Sequence, residues 1–217
     1  MTTERIGILG TGDVGRVLGK GLAGIGHDVR IGSREPDSAK LREWKAAVGK
    51  NGSSGSFAEA ASHGETVILA TLWTGTESAI RLAGGAAAFG GKIVLDATNP
   101  LDFSTGRPRL SISGQDSAGE QVQRWLPGAR VVKAFNCIGN AHMVKPSFPG
   151  GPPDMFIAGE DTQAKVRVGA LCAELGFGVV DAGGIEASRY LEALAMLWIE
   201  YGIRNKSFNH AFKLLRK

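Results

Sequence analysis

Short apolar runs alternate with longer stretches of helical spacing through much of the chain. The runs lie at residues 5–9, 29–32, 66–70, 92–96 and 130–135. Each is apolar along most of its length, which is typical of a strand buried on both faces of a parallel sheet. Between the runs, apolar side chains recur at every third or fourth position, as in 13–22 and 37–48, and this spacing predicts helices. The alternation predicts a doubly wound α/β fold with a mostly parallel sheet.

The pattern changes towards the C-terminus. The predicted elements there are strands at 154–158 and 178–181 and helices at 163–175, 188–201 and 208–215. Residues 49–55, rich in glycine and serine, are predicted to be a flexible connection and not a domain linker. We therefore expect a main domain at 1–139 and, packed on it, a small α/β and helical extension at 140–217 that shapes a substrate pocket or a dimer contact.

A glycine-rich turn directly follows the first apolar run. It consists of Gly10, Thr11, Gly12, Asp13, Val14 and Gly15. Glycines in such a turn permit a tight bend, close approach of the backbone to a pyrophosphate, and close packing of helix on strand. The free N–H groups and the dipole of the following helix favour a bound phosphate. This context predicts a Rossmann-like dinucleotide-binding domain. The alternative is a packing turn without a ligand, since glycine is frequent in this chain.

The end of the second apolar run carries Ser33 and Arg34, where an NAD-binding chain places Asp or Glu against the ribose 2′-hydroxyl. A carboxylate would repel a 2′-phosphate, whereas a guanidinium binds phosphate through two parallel hydrogen bonds. Ser33 can add a hydroxyl donor, and Lys40 a second positive charge. These residues predict NADP(H) as the cofactor, in preference to NAD(H). The alternatives are a solvated turn at Ser33-Arg34 and an ordinary surface lysine at position 40.

Ligands of open α/β sheets bind beyond the carboxyl ends of the strands. That rule selects further cofactor-binding candidates, namely Ala70, Thr71, Leu72, Trp73, Asn99 and Asn136, and substrate-pocket candidates, namely Cys137, Ile138 and Asn140. Asn99 and Asn136 can hydrogen-bond the amide or the ribose of a nicotinamide group, although Asn99-Pro100 also favours a turn. The Trp73 side chain either covers one side of the nicotinamide ring or packs in the core.

No catalytic dyad is evident, so no catalytic residue is predicted. Lys133 could donate a proton to a reacting carbonyl, but its place inside an apolar run favours a structural or phosphate-facing role. No histidine lies within four residues of Cys137 in the sequence, which argues against a nucleophile. Residues 102–114 are either a lid over a second ligand or a solvated loop. The four histidines are scattered, and no metal site is expected.

Composition argues against several other classes. The formal net charge of +4 is spread along the chain and fits a small anionic ligand better than nucleic acid. No apolar run approaches the ~20 residues that span a bilayer, and with a strand from about residue 5 we expect no targeting peptide. The two cysteines, Cys137 and Cys172, lack metal-binding or CxxC spacing. We expect a reduced, cytoplasmic protein that acts on a small molecule.

Several motifs recur together in one family. They lie at residues 10–15, 32–34, 99–101, 131–136, 154–159 and 189–192. Through them the whole chain resembles the NADP oxidoreductases that depend on the deazaflavin coenzyme F420, and it is also similar to the cytoplasmic reductase domains of the STEAP ferric reductases. The resemblance implies hydride exchange between NADPH and a deazaflavin or flavin. It also implies that the protein acts by holding the two rings face to face and excluding water.

The same resemblance implies a position for each part of the cofactor. The pyrophosphate would lie on residues 11–14, and the 2′-phosphate would meet Ser33 and Arg34. The nicotinamide would lie near Thr71, Asn99 and Asn136.

Other functions stay open on the same fold. One is a ferric reductase that works through a bound flavin, and another is an NADP(H)-binding redox sensor without turnover. A 3-hydroxyacid or imine reductase would share the N-terminal half but usually carries a longer helical C-terminal region. The late helical stretch has one apolar stripe, formed by Leu191, Leu194, Ala195, Trp198 and Tyr201. That stripe predicts either core packing or the interface of a homodimer.

Overall fold

The computed structural model of the chain describes residues 3–217. In chain order, the strands are β1 (Arg5–Leu9), β2 (Asp28–Gly32), β3 (Gly52–Gly55), β4 (Thr66–Leu69), β5 (Ile93–Asp96), β6 (Leu101–Asp102), β7 (Arg109–Leu110), β8 (Arg130–Lys133), β9 (Asp154–Ile157) and β10 (Gly178–Asp181). The α-helices are α1 (Asp13–Gly24), α2 (Ala39–Val48), α3 (Phe57–His63), α4 (Trp73–Leu82), α5 (Ala118–Trp125), α6 (Thr162–Glu174) and α7 (Ser188–Asn205). Short 3₁₀ turns lie at Gly49–Asn51, Ala86–Phe89, Asn140–His142 and Ile185–Ala187.

Six parallel strands form the central sheet, in the order β3-β2-β1-β4-β5-β8. The chain builds outwards from β1 to β3, then returns past β1 to build the other half through β4, β5 and β8. Where this direction reverses, between β1 and β4, such a sheet leaves a crevice at the carboxyl ends of the strands. The predicted doubly wound, mostly parallel fold is confirmed.

Apolar side chains cover both faces of this sheet. On one face, Ile8 of β1 belongs to a buried cluster with Leu18 of α1 and Leu171 of α6. On the other face, Leu69 of β4 belongs to a second cluster with Val122 of α5. Every residue of β4 and β5 is buried, as expected for strands that helices cover on both sides.

The C-terminal segment forms a small sheet of its own, which is bridged to the central sheet and shares its core. β9 and β10 pair in parallel, and Ala158, directly after β9, forms an antiparallel bridge with Lys133 at the end of β8. The two backbone hydrogen bonds of this bridge measure 2.8 and 3.1 Å. Met155 of β9 and Leu175, just after α6, belong to the cluster that contains Ile8. Residues from this segment therefore pack directly on the parallel sheet.

Two of the sequence predictions are wrong. Residues 52–55, inside the predicted flexible connection, form β3, the edge strand that pairs with β2. Residues 208–215, predicted to be helical, form no helix. There the N–H of Leu214 donates to Asp154 Oδ2 at 2.7 Å, and the carbonyl of Phe212 accepts from the N–H of Asp154 at 3.0 Å. Backbone groups of this tail thus bond to the start of β9 and not to one another.

Candidate active site at the carboxyl edge of the sheet

The carboxyl ends of five neighbouring strands lie level with one another. Leu9 pairs with both Gly32 and Leu69, Leu69 pairs with Asp96, and Asp96 pairs with Lys133. The segments that follow these residues therefore meet along one edge. They carry the predicted cofactor-binding residues apart from Lys40, which lies on α2.

The three glycines of the turn after β1 have different roles. Gly10 has a φ of +123°, and a Cβ there would lie 2.4 Å from Ala70 O. A Cβ on Gly15 would lie 2.2 Å from Gly10 O. These two glycines are required by the turn and by the approach of α1 to the strands. A Cβ on Gly12, in contrast, would meet no atom within 4 Å. The space in front of Gly12 suits a group from outside the chain.

The start of α1 presents backbone donors to that space. The N–H of Arg16 is the first to find a helical acceptor, Gly12 O at 3.1 Å. The N–H groups ahead of it belong to the exposed end of the helix, where a phosphate is stabilised by the donors and by the helix dipole. Thr11 and Val14 are half-buried, and the exposed Asp13 forms an ion pair with Arg16. The donors present fit a pyrophosphate.

The end of β2 offers a hydroxyl and a cation. Ser33 donates its N–H to Gly55 O at 2.9 Å, and its Oγ accepts from the N–H of Glu35 at 3.0 Å. Because Oγ accepts that bond, its own hydrogen stays available to a ligand. The side chains of Arg34 and Lys40 are exposed, and no ion pair involves them within the described residues.

The end of β4 leads straight into α4. Ala70 is buried and donates its N–H to Leu9 O at 2.9 Å, and Thr71 Oγ1 lies 2.9 Å from Thr76 Oγ1. Leu72 caps the helix and is 81 % exposed. Helix α4 begins at Trp73. The Trp73 ring stacks on Trp125 with centroids 5.2 Å apart, so it has a packing partner within the chain.

Asn99 and Asn136 meet across the ends of β5 and β8. Asn99 Nδ2 donates to Asn136 O at 2.6 Å, and Asn136 Nδ2 donates to Asn99 Oδ1 at 3.2 Å. Asn136 Nδ2 also donates to Leu191 O of α7, at 2.8 Å. The pair therefore ties both strands to the last helix, and the structure brings these two predicted residues together.

The predicted substrate-pocket residues mostly face inwards. Cys137 and Ile138 are 4 % and 8 % exposed, and Ile138 belongs to the core cluster that contains Ile8. Burial raises the pKa of the Cys137 thiol to about 12, which leaves it protonated and a poor nucleophile near neutral pH. Asn140 starts a 3₁₀ turn, where its Oδ1 accepts from the N–H of Ala141 at 3.0 Å.

A buried ionic cluster lies beneath this edge. Lys133 Nζ is 2.6 Å from Asp96 Oδ2 and 3.0 Å from Glu192 Oε1, and it donates to Thr98 O at 2.9 Å. All three charged side chains are at most 1 % exposed. Burial acts to lower the pKa of Lys133, but the two carboxylates outweigh it and hold that pKa above its ordinary value. The geometry gives Lys133 the structural role that its place in an apolar run favours.

Each carboxylate of this cluster has further donors. Asp96 Oδ1 accepts from the N–H and the hydroxyl of Thr98, at 2.9 and 2.7 Å. Glu192 accepts from the N–H groups of Ala118 and Gly119 at the start of α5, at 3.0 and 3.1 Å. Burial raises the pKa of Glu192, and Lys133 together with the N–H of Ala118 opposes that rise. Asp96 and Glu192 are not among the predicted site residues. The sequence signals for a buried ionic cluster are Lys133, inside the apolar run 130–135, and Asp96, which ends the run 92–96.

Residues 102–114, predicted to be a lid or a loop, contain a small hairpin. β6 and β7 pair antiparallel, Leu101 with Leu110 and Asp102 with Arg109. Arg107, between the two strands, lies 3.5 Å from Glu200 of α7. One exposed ion pair therefore links the hairpin to the last helix.

No helix within residues 3–217 has the length and apolarity needed to cross a bilayer. Over the same described residues, no group of three or more His, Cys, Asp or Glu side chains could hold a metal ion.

The sheet order and the open glycine turn at its reversal point define an α/β dinucleotide-binding protein. The family model of NADP oxidoreductases dependent on coenzyme F420 matches residues 5–100. The F420-dependent NADP reductase of Methanothermobacter marburgensis is 31% identical, over 97% of this chain and 97% of its own. Metalloreductase STEAP3 of Rattus norvegicus is 30% identical to this chain. The matched region covers 88% of this chain but only 36% of the length of that relative.

A solved structure agrees with these relatives. The Arthrobacter sp. FB24 protein, assigned as an F420-dependent NADP-reductase, has a TM-score of 0.92 and 38% identity, covering 98% of this chain and 100% of that one. The chain belongs to the family of F420-dependent NADP reductases. The resemblance carried by the sequence motifs is confirmed.

The ionic cluster leads to a stability prediction. Lys133→Met leaves Asp96 and Glu192 buried without their cation, and removing one partner of a buried pair costs about 3–5 kcal/mol of unfolding free energy. Arg5→Met is the matched control, because the exposed Arg5–Glu65 pair is worth less than about 1 kcal/mol. Urea unfolding followed by circular dichroism measures both. Equal effects of the two substitutions would contradict the role given to Lys133.

Proposed function

We propose that the chain catalyses hydride exchange between NADP(H) and a deazaflavin of the F420 type. The observation that carries the proposal is the open turn at Gly12, with helix N–H donors behind it and Ser33-Arg34 beside it. Family membership over nearly the whole chain supports the same reaction. When bound, NADPH supplies a hydride that the deazaflavin ring accepts. The chain's own groups bind, orient and shield these molecules.

Binding of the adenine half is assigned to the first two strand ends. Gly10, Thr11, Gly12, Asp13, Val14 and Gly15 would hold the pyrophosphate, chiefly through backbone N–H groups. Ser33 and Arg34 would bind the 2′-phosphate, with Lys40 adding positive charge from α2. No carboxylate stands at position 33 or 34 to repel that phosphate, which supports selection of NADP(H).

The nicotinamide half is assigned to the other strand ends. Ala70, Thr71, Leu72, Trp73, Asn99 and Asn136 would border it. The segment with Cys137, Ile138 and Asn140 would contribute to the acceptor side, mainly through its backbone, because two of its side chains are buried. Transfer of the hydride between two held rings needs no acid–base side chain. The one proton that balances reduction of the deazaflavin by NADPH would come from water, so the proposal includes no acid–base residue.

The C-terminal part is assigned two roles. We divide the chain into an NADP-binding domain at 1–139 and an extension at 140–217 that completes the pocket and forms a homodimer contact. Leu191, Ala195 and Trp198 of the predicted stripe are buried, but Tyr190, Leu197 and Tyr201 are 75 %, 59 % and 55 % exposed. Their spacing puts them on one face of α7, and large exposed apolar patches mark interaction surfaces. The two free cysteines suit a reducing compartment, and we place the protein in the cytoplasm.

Leu197→Glu tests the dimer. A charge on the apolar face of α7 should convert a dimer to monomers, because the interface would have to bury an unpaired carboxylate. Sedimentation equilibrium measures the mass in solution. Val166→Glu, at a 64 % exposed position on α6, is the control and should change nothing. A wild-type monomer, or an unaffected L197E dimer, contradicts this interface.

An acceptor panel tests the reaction. NADPH oxidation is followed by absorbance with F420, FMN, FAD and ferric chelates, with and without added flavin. We expect kcat/KM for F420 to exceed that for FMN by at least about tenfold, since differential contacts with the correct ring set specificity. Ferric reduction that needs flavin would favour the STEAP-like alternative. Tight NADPH binding without oxidation by any acceptor would favour a sensor.

Arg34→Ala tests the choice of dinucleotide. Hydrogen bonds to charged groups contribute about 1.5–3 kcal/mol, so the Kd for NADPH should rise about 10- to 100-fold. The Kd for NADH should stay unchanged. Isothermal titration calorimetry measures both, with Arg81→Ala on the exposed side of α4 as a control for loss of a positive charge. An unchanged NADPH affinity in R34A would overturn the assignment of Arg34.

A further inference from the structure

The side-chain oxygen of Asn136 accepts no hydrogen bond within residues 3–217, although it is fully buried. The residue is 4 % exposed. Its Nδ2 donates to Leu191 O at 2.8 Å and to Asn99 Oδ1 at 3.2 Å. Both amide hydrogens are thus used on oxygen acceptors, so the orientation of the amide is determined, and Oδ1 is the atom left over. Buried polar atoms in proteins are nearly always paired, so this oxygen calls for a donor from outside the chain.

The backbone holds this amide in place at an energetic cost. Phe135, directly before Asn136, has a φ of +60°, a left-handed conformation that is unfavourable for a residue with a large side chain. Its ring is buried and packs edge-on against Phe177 with centroids 5.6 Å apart, and its N–H meets Met155 Sδ at 3.0 Å. Strained residues of this kind persist where packing enforces them, often at ligand sites. The constraint directs Asn136 towards Asn99.

Asn99 has a different part in this arrangement. Its Nδ2 donates to Asn136 O at 2.6 Å, and its Oδ1 accepts from Asn136 Nδ2. Both ends of the Asn99 amide therefore bond to Asn136. Its contribution is to hold the neighbouring side chain.

The position of the pair indicates the ligand group. Asn136 follows β8 and Asn99 follows β5, both on the opposite side of the reversal point from Ser33. A dinucleotide whose pyrophosphate lies at Gly12 extends its nicotinamide half over these strands. The buried oxygen of Asn136 therefore lies at the carboxyl edge of the sheet, on the side expected for the nicotinamide half. The carboxamide of nicotinamide carries the required N–H donor.

We propose that Asn136 Oδ1 accepts a hydrogen bond from the carboxamide N–H of the nicotinamide ring. Asn99 is a positioning residue, whose amide is bonded to Asn136 and makes no hydrogen bond to the ligand. The inference rests on the proposed NADP(H) function and deepens it. In this proposal, Asn136 Oδ1 is the atom that recognises the nicotinamide end of the dinucleotide.

Three ligands separate this contact from the rest of the dinucleotide. NADP⁺ carries the carboxamide, and its 3-acetylpyridine analogue keeps the carbonyl but has no N–H. The third ligand, 2′-phospho-ADP-ribose, has no ring. Calorimetry with the wild-type protein should show NADP⁺ binding at least about tenfold more tightly than the acetylpyridine analogue, because a site built around a buried acceptor rejects a ligand without the donor.

Two variants assign the effect to the two residues. Asn136→Leu should reduce the ratio between the two dinucleotides to near one and leave the affinity for 2′-phospho-ADP-ribose unchanged. Asn99→Leu should weaken both dinucleotides while preserving most of the ratio, since Leu191 O still holds Asn136. An N136L protein that keeps the wild-type ratio, or an N99L protein that loses it as fully as N136L, overturns the proposal.

The remaining outcomes are also decisive. Equal wild-type affinities for NADP⁺ and its acetylpyridine analogue contradict the Asn136 contact alone, and this holds even if N136L does not fold. Failure of all three ligands to bind the wild-type protein contradicts the proposed NADP(H) function itself.

Discussion

One buried ammonium group, Lys133 Nζ, joins the carboxyl edge of the sheet to the last helix. An isolated charge would not be tolerated at complete burial, so Asp96 and Glu192 must be brought to it from β5 and α7. Glu192 in turn binds the first N–H groups of α5. The neighbouring residue, Leu191, accepts the hydrogen bond that orients Asn136. The ionic cluster therefore fixes the relative positions of two strands, two helices and the Asn136 amide.

Local signals predicted most of the fold. β1 and β10 were predicted with the bounds that the structure shows, because a mostly apolar run or a short β-branched run is enough to mark a strand. β3 was missed, since its pairing with β2 uses backbone groups that carry no side-chain signal. The tail at 208–215 has helical spacing, yet its backbone bonds to Asp154 at the start of β9. Contacts between distant segments decided both cases.

The location of the candidate site could be predicted, because it depends only on which residues directly follow the parallel strands. Residues after parallel strands must lie at one edge, and those after β1, β2, β4, β5 and β8 do so. The partners of Lys133 could not be predicted, because Glu192 reaches it only through the packing of α7 on α5 and β8. The side-chain oxygen of Asn136 finds no donor within residues 3–217, and this was equally hidden, since it depends on which groups surround one amide. Sequence position identified the edge of the sheet, and three-dimensional packing determines its chemistry.

The edge strand β3 has a consequence for the colloidal behaviour of the molecule. An open strand presents unpaired N–H and C=O groups to any other chain and is a common nucleus for aggregation. β3 consists of Gly-Ser-Ser-Gly and offers no apolar side chain. A foreign strand that added there would gain backbone hydrogen bonds but bury almost no apolar surface against its neighbour. The lack of apolar side chains in β3 thus has two effects. It leaves the strand without a signal in the sequence, and it makes this edge of the sheet a poor template for unwanted β-pairing.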